Sequence, residues 1–217
     1  MNGSVKIMVE HPSMRLTDDK RRLLFRVSSA EFAANGFKQA SLNRIVSELG
    51  MSKSSFYHYF ENKSDLFQKT LEHVMMPLFA SHQTIDLEAL TAETLWPAIM
   101  QFAGEMMQIV NQSPDMITAG RMFYRVMEIP EESALTQDIV SEFTNWILRL
   151  IQRGQALGVF RNDLPDSLLI DMIMALGMSM DRWMLSHWEE LSDTEKEEIG
   201  ARGFELFQRL MEPARHN

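Results

Sequence analysis

The sequence predicts an all-α protein with a three-helix head at its N-terminus and a larger helical body behind it. Apolar residues recur at helical spacing in one segment after another. Serine, threonine and asparagine stand where helices should begin, and glycine or proline stands where they should end. The 217 residues are enough for one or two domains with real cores.

The first helix is predicted to follow an arm without regular structure. Residues 1–16 show no apolar periodicity, so we expect them to be flexible. Thr17 suits the N-cap of a helix that runs to Asn35 and is ended by Gly36. Four basic residues fall on the outer side of this helix: Lys20, Arg21, Arg22 and Arg26. They either touch phosphates or form an ordinary solvated face, and the pattern leaves both open.

Two short helices joined by a tight turn are predicted next. Ser41 suits the N-cap of the first, and apolar residues follow at helical spacing: Leu42, Ile45, Val46 and Leu49. Gly50 lies where the chain must leave that helix, a position that favours a residue without a Cβ. Ser52 suits the N-cap of the second helix. The gap between the two is typical of a DNA-binding helix-turn-helix.

The second of these helices, residues 53–60, has two chemically different faces. Phe56, Tyr59 and Phe60 recur at a spacing that turns them inward. The remaining surface carries side chains that donate hydrogen bonds and have no negative charge: Lys53, Ser54, Tyr57 and His58. A helix fits the major groove, where such side chains meet phosphates, base edges and the thymine methyl group.

A fourth helix is predicted to connect the head to the body. Asn62 suits its N-cap, with Asp65 at the third helical position. Lys63 then stands at a helix N-terminus, where a cation and free amides together suit a phosphate. Pro77 is expected to kink or end this connector helix.

Fifteen residues carry a family signature with agreeing spacing from end to end: Phe32, Gly36, Phe37, Ser41, Leu42, Ile45, Leu49, Gly50, Ser52, Phe56, Tyr57, Tyr59, Phe60, Lys63 and Leu66. Over residues 32–66 the chain resembles the TetR-like (tetracycline-repressor-type) transcriptional regulators. Val46 departs from the pattern, because the family commonly has alanine there. The extra volume should be absorbed in the small core of the head.

The resemblance implies a division of the chain and a set of DNA contacts. Residues 17–62 would form the helix-turn-helix DNA-binding domain, and residues 63–217 a domain for effector binding and dimerisation. The expected DNA-contacting residues lie on the two short helices and at the start of the connector: Ser41, Arg44, Ser52, Lys53, Ser54, Tyr57, His58, Tyr59 and Lys63.

Composition and charge restrict the kind of protein. The net charge of −9 divides into +3 over residues 1–66 and −12 over residues 67–217. This asymmetry suits DNA binding by a small head and not by the whole surface. With 45% hydrophobic residues, no cysteine, no signal peptide and no membrane-spanning run, we expect a cytoplasmic protein without disulfides.

The last two helices are predicted to complete a four-helix bundle with a second copy. The penultimate helix, residues 166–187, is apolar almost all round and must be covered on both sides. The final helix opens on a capping box from Ser192 to Glu195. Small residues at Gly177, Ala201 and Gly203 would let backbones approach closely. A two-fold dimer presents two recognition helices to palindromic half-sites roughly 34 Å apart. The alternative is that both helices pack wholly within one subunit.

The body is unusually rich in methionine, with 18 in the whole chain. Methionine is flexible and polarizable, so it suits either a pocket for apolar or aromatic molecules or ordinary core filling. The resemblance favours an effector pocket for a lipophilic or aromatic molecule. Its predicted lining is Trp96, Met100, Met107, Met122, Phe123, Arg125, Trp146, Met174, Met178 and Asp181. Arg125 is equally well placed for a surface ion pair.

Enzymatic signatures do not occur in the sequence. There is no glycine-rich phosphate loop, cysteine nucleophile or H-E-x-x-H spacing, and the six histidines are scattered. We therefore expect no catalysis, no metal and no cofactor.

These observations predict a ligand-responsive regulator that is a repressor by resemblance, with activation left open. Effector binding would move the connector helix and separate the two heads beyond the operator spacing. One alternative is an effector-independent DNA-binding protein that acts through protein partners. Another is an enzyme or binding module whose helix-turn-helix is only structural.

Overall fold

The protein is built from helices, as a computed structural model shows. It describes residues 11–82 and 85–213, except the side chains of residues 14, 76–77 and 79–82. Nine α-helices and no strands occur in these residues: α1 (Asp18–Gln39), α2 (Leu42–Glu48), α3 (Lys53–Tyr59), α4 (Lys63–His82), α5 (Leu95–Gln112), α6 (Pro114–Met127), α7 (Gln137–Ala156), α8 (Asp166–His187) and α9 (Asp193–Met211). The predicted all-α fold with an N-terminal helix-turn-helix is confirmed.

The caps of the two short helices form as the sequence predicts. The Ser41 hydroxyl accepts a hydrogen bond from the backbone N–H of Arg44, and the Ser52 hydroxyl accepts one from Ser55. Gly50 has a φ of 60° in the turn between them. The tight turn thus fixes the direction in which α3 leaves α2.

Gly36 interrupts α1 with φ 69° and ψ 172°, and one further turn continues to Gln39. This is a backbone region that glycine alone adopts readily. The chain therefore changes direction before it reaches α2, which agrees with the predicted end of the first helix at this residue.

The predicted N-terminal arm needs correction over its last residues. Residues 1–10 lie outside the described residues, but Pro12–Arg15 form a short 3-10 helix. His11 lies against the Phe60 ring at 5.4 Å and has its Nε2 3.5 Å from a carboxylate oxygen of Asp65. Ser13 is buried. These contacts order residues 11–16 on the head, and the missing periodicity could not reveal them because the segment is too short.

The core of the head continues into the body. Phe32, Phe56 and Phe60 are buried together with residues of α4 and α6: Leu66, Phe67, Leu71, Met122, Phe123 and Val126. Helix α1 packs more extensively on α6 than on any other helix. The predicted boundary at residue 63 stays a prediction, but one continuous core crosses it.

The connector helix differs from the expectation at Pro77. Helix α4 continues through this position to His82 without ending. Proline removes one hydrogen bond of the helix, and the packing of α4 on α1, α5 and α6 supports the helix on either side.

A second core lies among α5, α7, α8 and α9 and includes Leu95, Trp146, Ile151 and Leu169. Helix α7 ends before Gly158, whose φ is 69°. The predicted capping box is present at the start of α9, where the Ser192 hydroxyl and the Glu195 carboxylate each accept a backbone N–H.

Helix α8 is only partly covered within one subunit. Leu169 and Met184 are its buried residues, whereas Leu168, Met172 and Trp183 are exposed. Gly203 of α9 is filled from its own chain, because a Cβ there would stand 1.9 Å from Cε of Met180. Its small size thus serves packing within the subunit, and its part in the approach of two copies stays a prediction.

Candidate nucleic-acid interface and ligand cavity

The outer face of α3 carries the four side chains that the sequence assigned to DNA. Lys53, Ser54, Tyr57 and His58 are all exposed. The Tyr57 side chain is 59% exposed although its ring contacts the buried Phe56 at 5.3 Å. This arrangement leaves the donors of the helix available to a partner while the opposite face anchors the helix in the core.

Tyr59 differs from these four residues. It is half-buried and packs on the core of the head, in agreement with its inward helical position. Its predicted DNA contact stays a prediction, and the structure assigns it a packing role.

Helix α2 is tied to α1 through Glu31. The Arg44 guanidinium donates to both carboxylate oxygens of Glu31, at 2.6 Å and 3.1 Å, and the Ser41 backbone N–H donates to the same carboxylate at 2.7 Å. Desolvation raises the pKa of Glu31, but the hydrogen bonds from Arg44 and Ser41 outweigh it, and the pKa is lowered overall. Arg44 still has 59% of its side chain exposed, so it is held in place at the surface.

Lys63 joins the start of α4 to the corner between α1 and α2. Its Nζ donates to the carbonyl oxygens of Lys38 and Ala40 at 2.9 Å and 3.1 Å and stands 5.0 Å from the centre of the Phe37 ring. An ammonium group has three N–H donors. One donor therefore remains for a phosphate, and the other two fix the head on the connector.

A second set of hydrogen bonds between head and body, which we call the α6 joint, was not predicted from the sequence. Arg125 of α6 donates to the carbonyl oxygens of Ala33 and Ala34 at 2.9 Å each, beside the interruption of α1. The buried Glu132, which follows α6, accepts the backbone N–H of Lys38 at 3.2 Å. Such contacts join residues about ninety positions apart, which no helical periodicity can signal.

A cavity of about 390 Å³ lies in the body between helices α4 to α9. Eight aromatic side chains take part in its wall: Phe102, Phe123, Tyr124, Phe143, Trp146, Phe160, Phe204 and Phe207. The volume falls in the range of sites for drug-sized molecules. Helices α4 and α6, which also build the core of the head, contribute Met75, Leu78 and Met127 to the wall.

Half of the predicted pocket residues line this cavity and half do not. The lining includes Phe123, Trp146, Met174, Met178 and Asp181. It does not include Trp96, Met100, Met107, Met122 or Arg125.

The five residues outside the cavity have other positions. Trp96 packs on Phe160 and Phe207, with ring centres at 5.0 Å and 5.8 Å. Met100 is 58% exposed, and Met122 is fully buried in the core that joins α6 to the head. Met107 reaches towards Gly200 of α9. Arg125 turns to α1. Helical spacing identifies the buried face of a helix, but it does not separate a filled core from an open cavity.

The polar group of the cavity is a tyrosine–carboxylate pair. The Tyr124 hydroxyl of α6 donates to Oδ2 of Asp181 of α8 at 2.9 Å. Asp181 is accessible from the cavity, yet the protein around it removes much of its water, and this desolvation raises the pKa of its carboxyl group. Desolvation and the neighbouring carboxylate also raise the pKa of Tyr124 far above its ordinary value.

In the part of the chain that the structure describes, no three histidine or acidic side chains are grouped to hold a metal ion. No helix in the same residues is long and apolar enough to cross a membrane.

An exposed recognition helix on a three-helix head, continuous with a helical body, defines a helix-turn-helix transcriptional regulator. A match to a protein-family profile narrows this class further. Residues 24–70 match the family profile described as "Bacterial regulatory proteins, tetR family". Residues 24–70 therefore carry the N-terminal domain of TetR-family regulators, as the signature in residues 32–66 indicated.

Known proteins of similar sequence and fold agree with this. The uncharacterized HTH-type transcriptional regulator YdgC of Bacillus subtilis is 20% identical over 73% of this chain and 77% of its own. The HTH-type transcriptional repressor SCO4008 of Streptomyces coelicolor is 23% identical over 70% and 73%. The regulator FadR of Bacillus subtilis, solved in complex with stearoyl-CoA, has a TM-score of 0.69 at 14% identity, covering 88% of this chain and 98% of its own.

Proposed function

We propose that this protein is a ligand-responsive repressor that binds palindromic operator DNA as a homodimer in the cytoplasm. A lipophilic or aromatic molecule in the cavity would release it from the operator. The observation that carries the proposal is that α4 and α6 belong to both the cavity wall and the core of the head. A related fold, that of FadR, holds stearoyl-CoA, which supports a ligand role for the body.

The proposed transmission uses two helices. Met75 and Leu78 place α4 in the cavity wall, and Lys63 at its start holds the corner of the head. Tyr124 places α6 in the same wall, and the next residue, Arg125, holds the end of α1. A ligand that fits only one arrangement of these helices shifts the population of head positions. Helix α6 thus joins the connector helix as a second path.

The proposed dimer uses α8 and α9. Four large apolar side chains of these helices are exposed in the single subunit: Leu168, Met172, Trp183 and Leu206. Exposed large apolar side chains on two neighbouring helices favour an interaction site there. A second copy would cover it and place two α3 helices on one face of the DNA.

The DNA-binding proposal is tested by selecting fragments of the source organism's genome with the purified protein and sequencing the enriched sites. We expect a palindrome near the gene for this protein. Lys53→Ala should weaken binding to it by about tenfold and reduce the salt dependence. Lys69→Ala is the matched control, because Lys69 pairs with Glu72 on α4, away from the α3 surface. Equal effects of both changes would contradict the assigned surface.

The dimer is tested by sedimentation of variants with a new charge in the proposed interface. Met172→Glu should convert the dimer to monomers, because a desolvated carboxylate at the interface is costly. Met100→Glu is the control, since Met100 is also exposed but lies on α5. Loss of the dimer in the control alone would move the interface to α5.

The effector-independent alternative makes a different prediction. It requires that no small molecule changes operator affinity, so that protein partners carry regulation. The cavity favours the ligand-responsive proposal, because a filled body would leave no room for an effector. Enrichment at many dispersed genomic sites, with no response to any ligand, would support the alternative.

A further inference from the structure

We propose that the cavity selects a lipophilic cation, which its aromatic wall encloses and the Asp181 carboxylate pairs with. This inference rests on the proposed function, in that the cavity is taken as the effector site. It goes further by assigning the effector a charge. Neither the methionine content nor the size of the cavity distinguishes a cation from an anion or a neutral molecule.

The first observation is the charge of the wall. Among the described residues that line the cavity, Asp181 is the one with a charged side chain, and no lysine, arginine or histidine joins it. In the same part of the chain, only the Tyr124 hydroxyl donates to its carboxylate, through Oδ2. Oδ1 is therefore available to a ligand. A carboxylate in an apolar wall that has no cationic partner there favours a ligand that supplies the positive charge.

The second observation is that the nearby arginines are directed elsewhere. Arg121 donates to the carbonyl oxygen of Leu185 and pairs with Glu189. Arg125 donates to carbonyl oxygens of α1, and Arg182 lies 3.4 Å from a carboxylate oxygen of Glu128. Three guanidinium groups on the helices that hold Tyr124 and Asp181 thus have partners outside the cavity. An anionic ligand would find no counter-charge in the described wall.

The third observation is the aromatic content of the wall. Rings such as Phe123, Phe143 and Trp146 present electron-rich faces that attract cations. The same rings offer an apolar surface for the rest of the ligand. A fatty acid or acyl-CoA would bring its negative charge to Asp181 and be repelled. The cavity therefore differs in charge preference from one built for acidic lipids.

Two matched ions test the inference on the full-length protein. Tetraphenylphosphonium and tetraphenylborate have nearly the same size and shape and opposite charge. We expect the phosphonium ion to bind at least about tenfold more tightly by calorimetry in a sodium buffer, the effect of one partly desolvated charge pair. Decyltrimethylammonium, decyl sulfate and decanol, used below micelle-forming concentrations, repeat the comparison with a flexible body.

Variants then assign the preference to Asp181. Asp181→Asn keeps the shape of the side chain and should remove most of the cation preference. Asp171→Asn, on the exposed surface of the same helix and outside the cavity, should retain it. Gly177→Leu should block both cations, because Gly177 lines the cavity and a Cβ there meets nothing within 4 Å. Gly104→Leu, at an exposed position with equal space, should block neither.

The outcomes separate the two proposals. Equal binding of cations, anions and decanol, blocked by Gly177→Leu, would overturn the charge preference and leave the effector site intact. Cation binding that survives both Asp181→Asn and Gly177→Leu would overturn the assignment to this cavity. If no probe binds, both the cation preference and the proposed effector site fail. Binding of cations that is lost in Asp181→Asn and kept in Asp171→Asn establishes the inference.

Discussion

The head and the body bury their aromatic residues in different ways. In the head, Phe32, Phe56, Phe60 and Phe67 are almost fully buried, and the Phe32 and Phe67 rings meet edge to face at 5.1 Å. In the body, rings of comparable size surround a cavity of about 390 Å³. A filled core holds one conformation, whereas a wall around a cavity gains contacts only when a ligand enters. The head thus has the packing of a rigid domain, whereas the body has room for a ligand.

The head and the body also differ in the surfaces that bound their cores. Head and body share α4 and α6, so the core of the head has no boundary of its own towards the body. Helices α8 and α9 of the body instead carry exposed apolar residues. A change of shape in the body can reach α3 through α4, which follows α3 in the chain, and through α6, which packs on α1.

The largest expected effect on stability follows from removing one aromatic ring from the core of the head. Phe32→Ala should reduce the free energy of unfolding by about 3–5 kcal/mol, because the site is fully packed and cannot collapse around the gap. Phe143→Ala should cost clearly less, since Phe143 is half-buried and already faces the cavity. Urea unfolding of both variants measures the difference. Equal losses would mean that the cavity wall is as tightly packed as the head.

Much of the fold follows from local signals, and the head follows most closely. The caps at Ser41, Ser52 and Ser192 are properties of a few neighbouring residues, so the sequence predicts them directly. The exposed face of α3 is equally a matter of helical spacing. Pro77 is different: its effect on α4 depends on the helices packed around it, and the helix continues.

The sites are predictable only where they are local. Lys53 and Tyr57 are exposed as expected, because the position of α3 follows from the turn before it. The cavity wall combines six helices, and helical spacing could not tell the lining Met178 from the exposed Met100. The roles of Arg125 and Lys63 depend on backbone carbonyls of α1. Every residue has a backbone carbonyl group, so the sequence gives no signal for these hydrogen-bond acceptors.

A smaller effect is expected where the head meets α6. Gly36→Ala should reduce the free energy of unfolding by about 1–3 kcal/mol, because its φ of 69° with ψ of 172° strains any residue with a Cβ. A Cβ there would also stand 3.2 Å from Nε of Arg125. Gly50→Ala is the matched control, with φ 60° and nothing within 4 Å. If the control loses as much stability, the contact with α6 adds nothing to the backbone strain.

The α6 joint itself is tested by Arg125→Leu. This change removes two hydrogen bonds to α1 and should cost only about 1 kcal/mol of stability, because the site is exposed. Its main effect should be faster amide hydrogen exchange in residues 33–41 and a weaker response of operator affinity to the cavity ligand. Arg121→Leu, one turn earlier on α6, breaks contacts within the body and should leave exchange in residues 33–41 unchanged. Identical exchange patterns would show that α6 does not hold the head.

The smallest expected effect is on the acid sensitivity of the head. The Glu31 carboxylate in the head is paired with Arg44, whereas the Asp181 carboxylate in the cavity wall has no cationic partner there. The hydrogen bonds from Arg44 and Ser41 lower the pKa of Glu31 overall, in spite of the opposing desolvation. A carboxylate with a lowered folded-state pKa stabilises the protein above its unfolded pKa of about 4.3, and this contribution is lost as the pH falls through the folded-state pKa.

Glu31→Gln should therefore lower the free energy of unfolding by less than about 1 kcal/mol at pH 7. The difference from the unmodified protein should shrink below about pH 4. Glu48→Gln, at an exposed position of α2 without an ion pair among the described residues, is the matched control. Urea unfolding across this range measures both, and a Glu31→Gln effect that is constant with pH would mean that the ion pair with Arg44 does not stabilise the head.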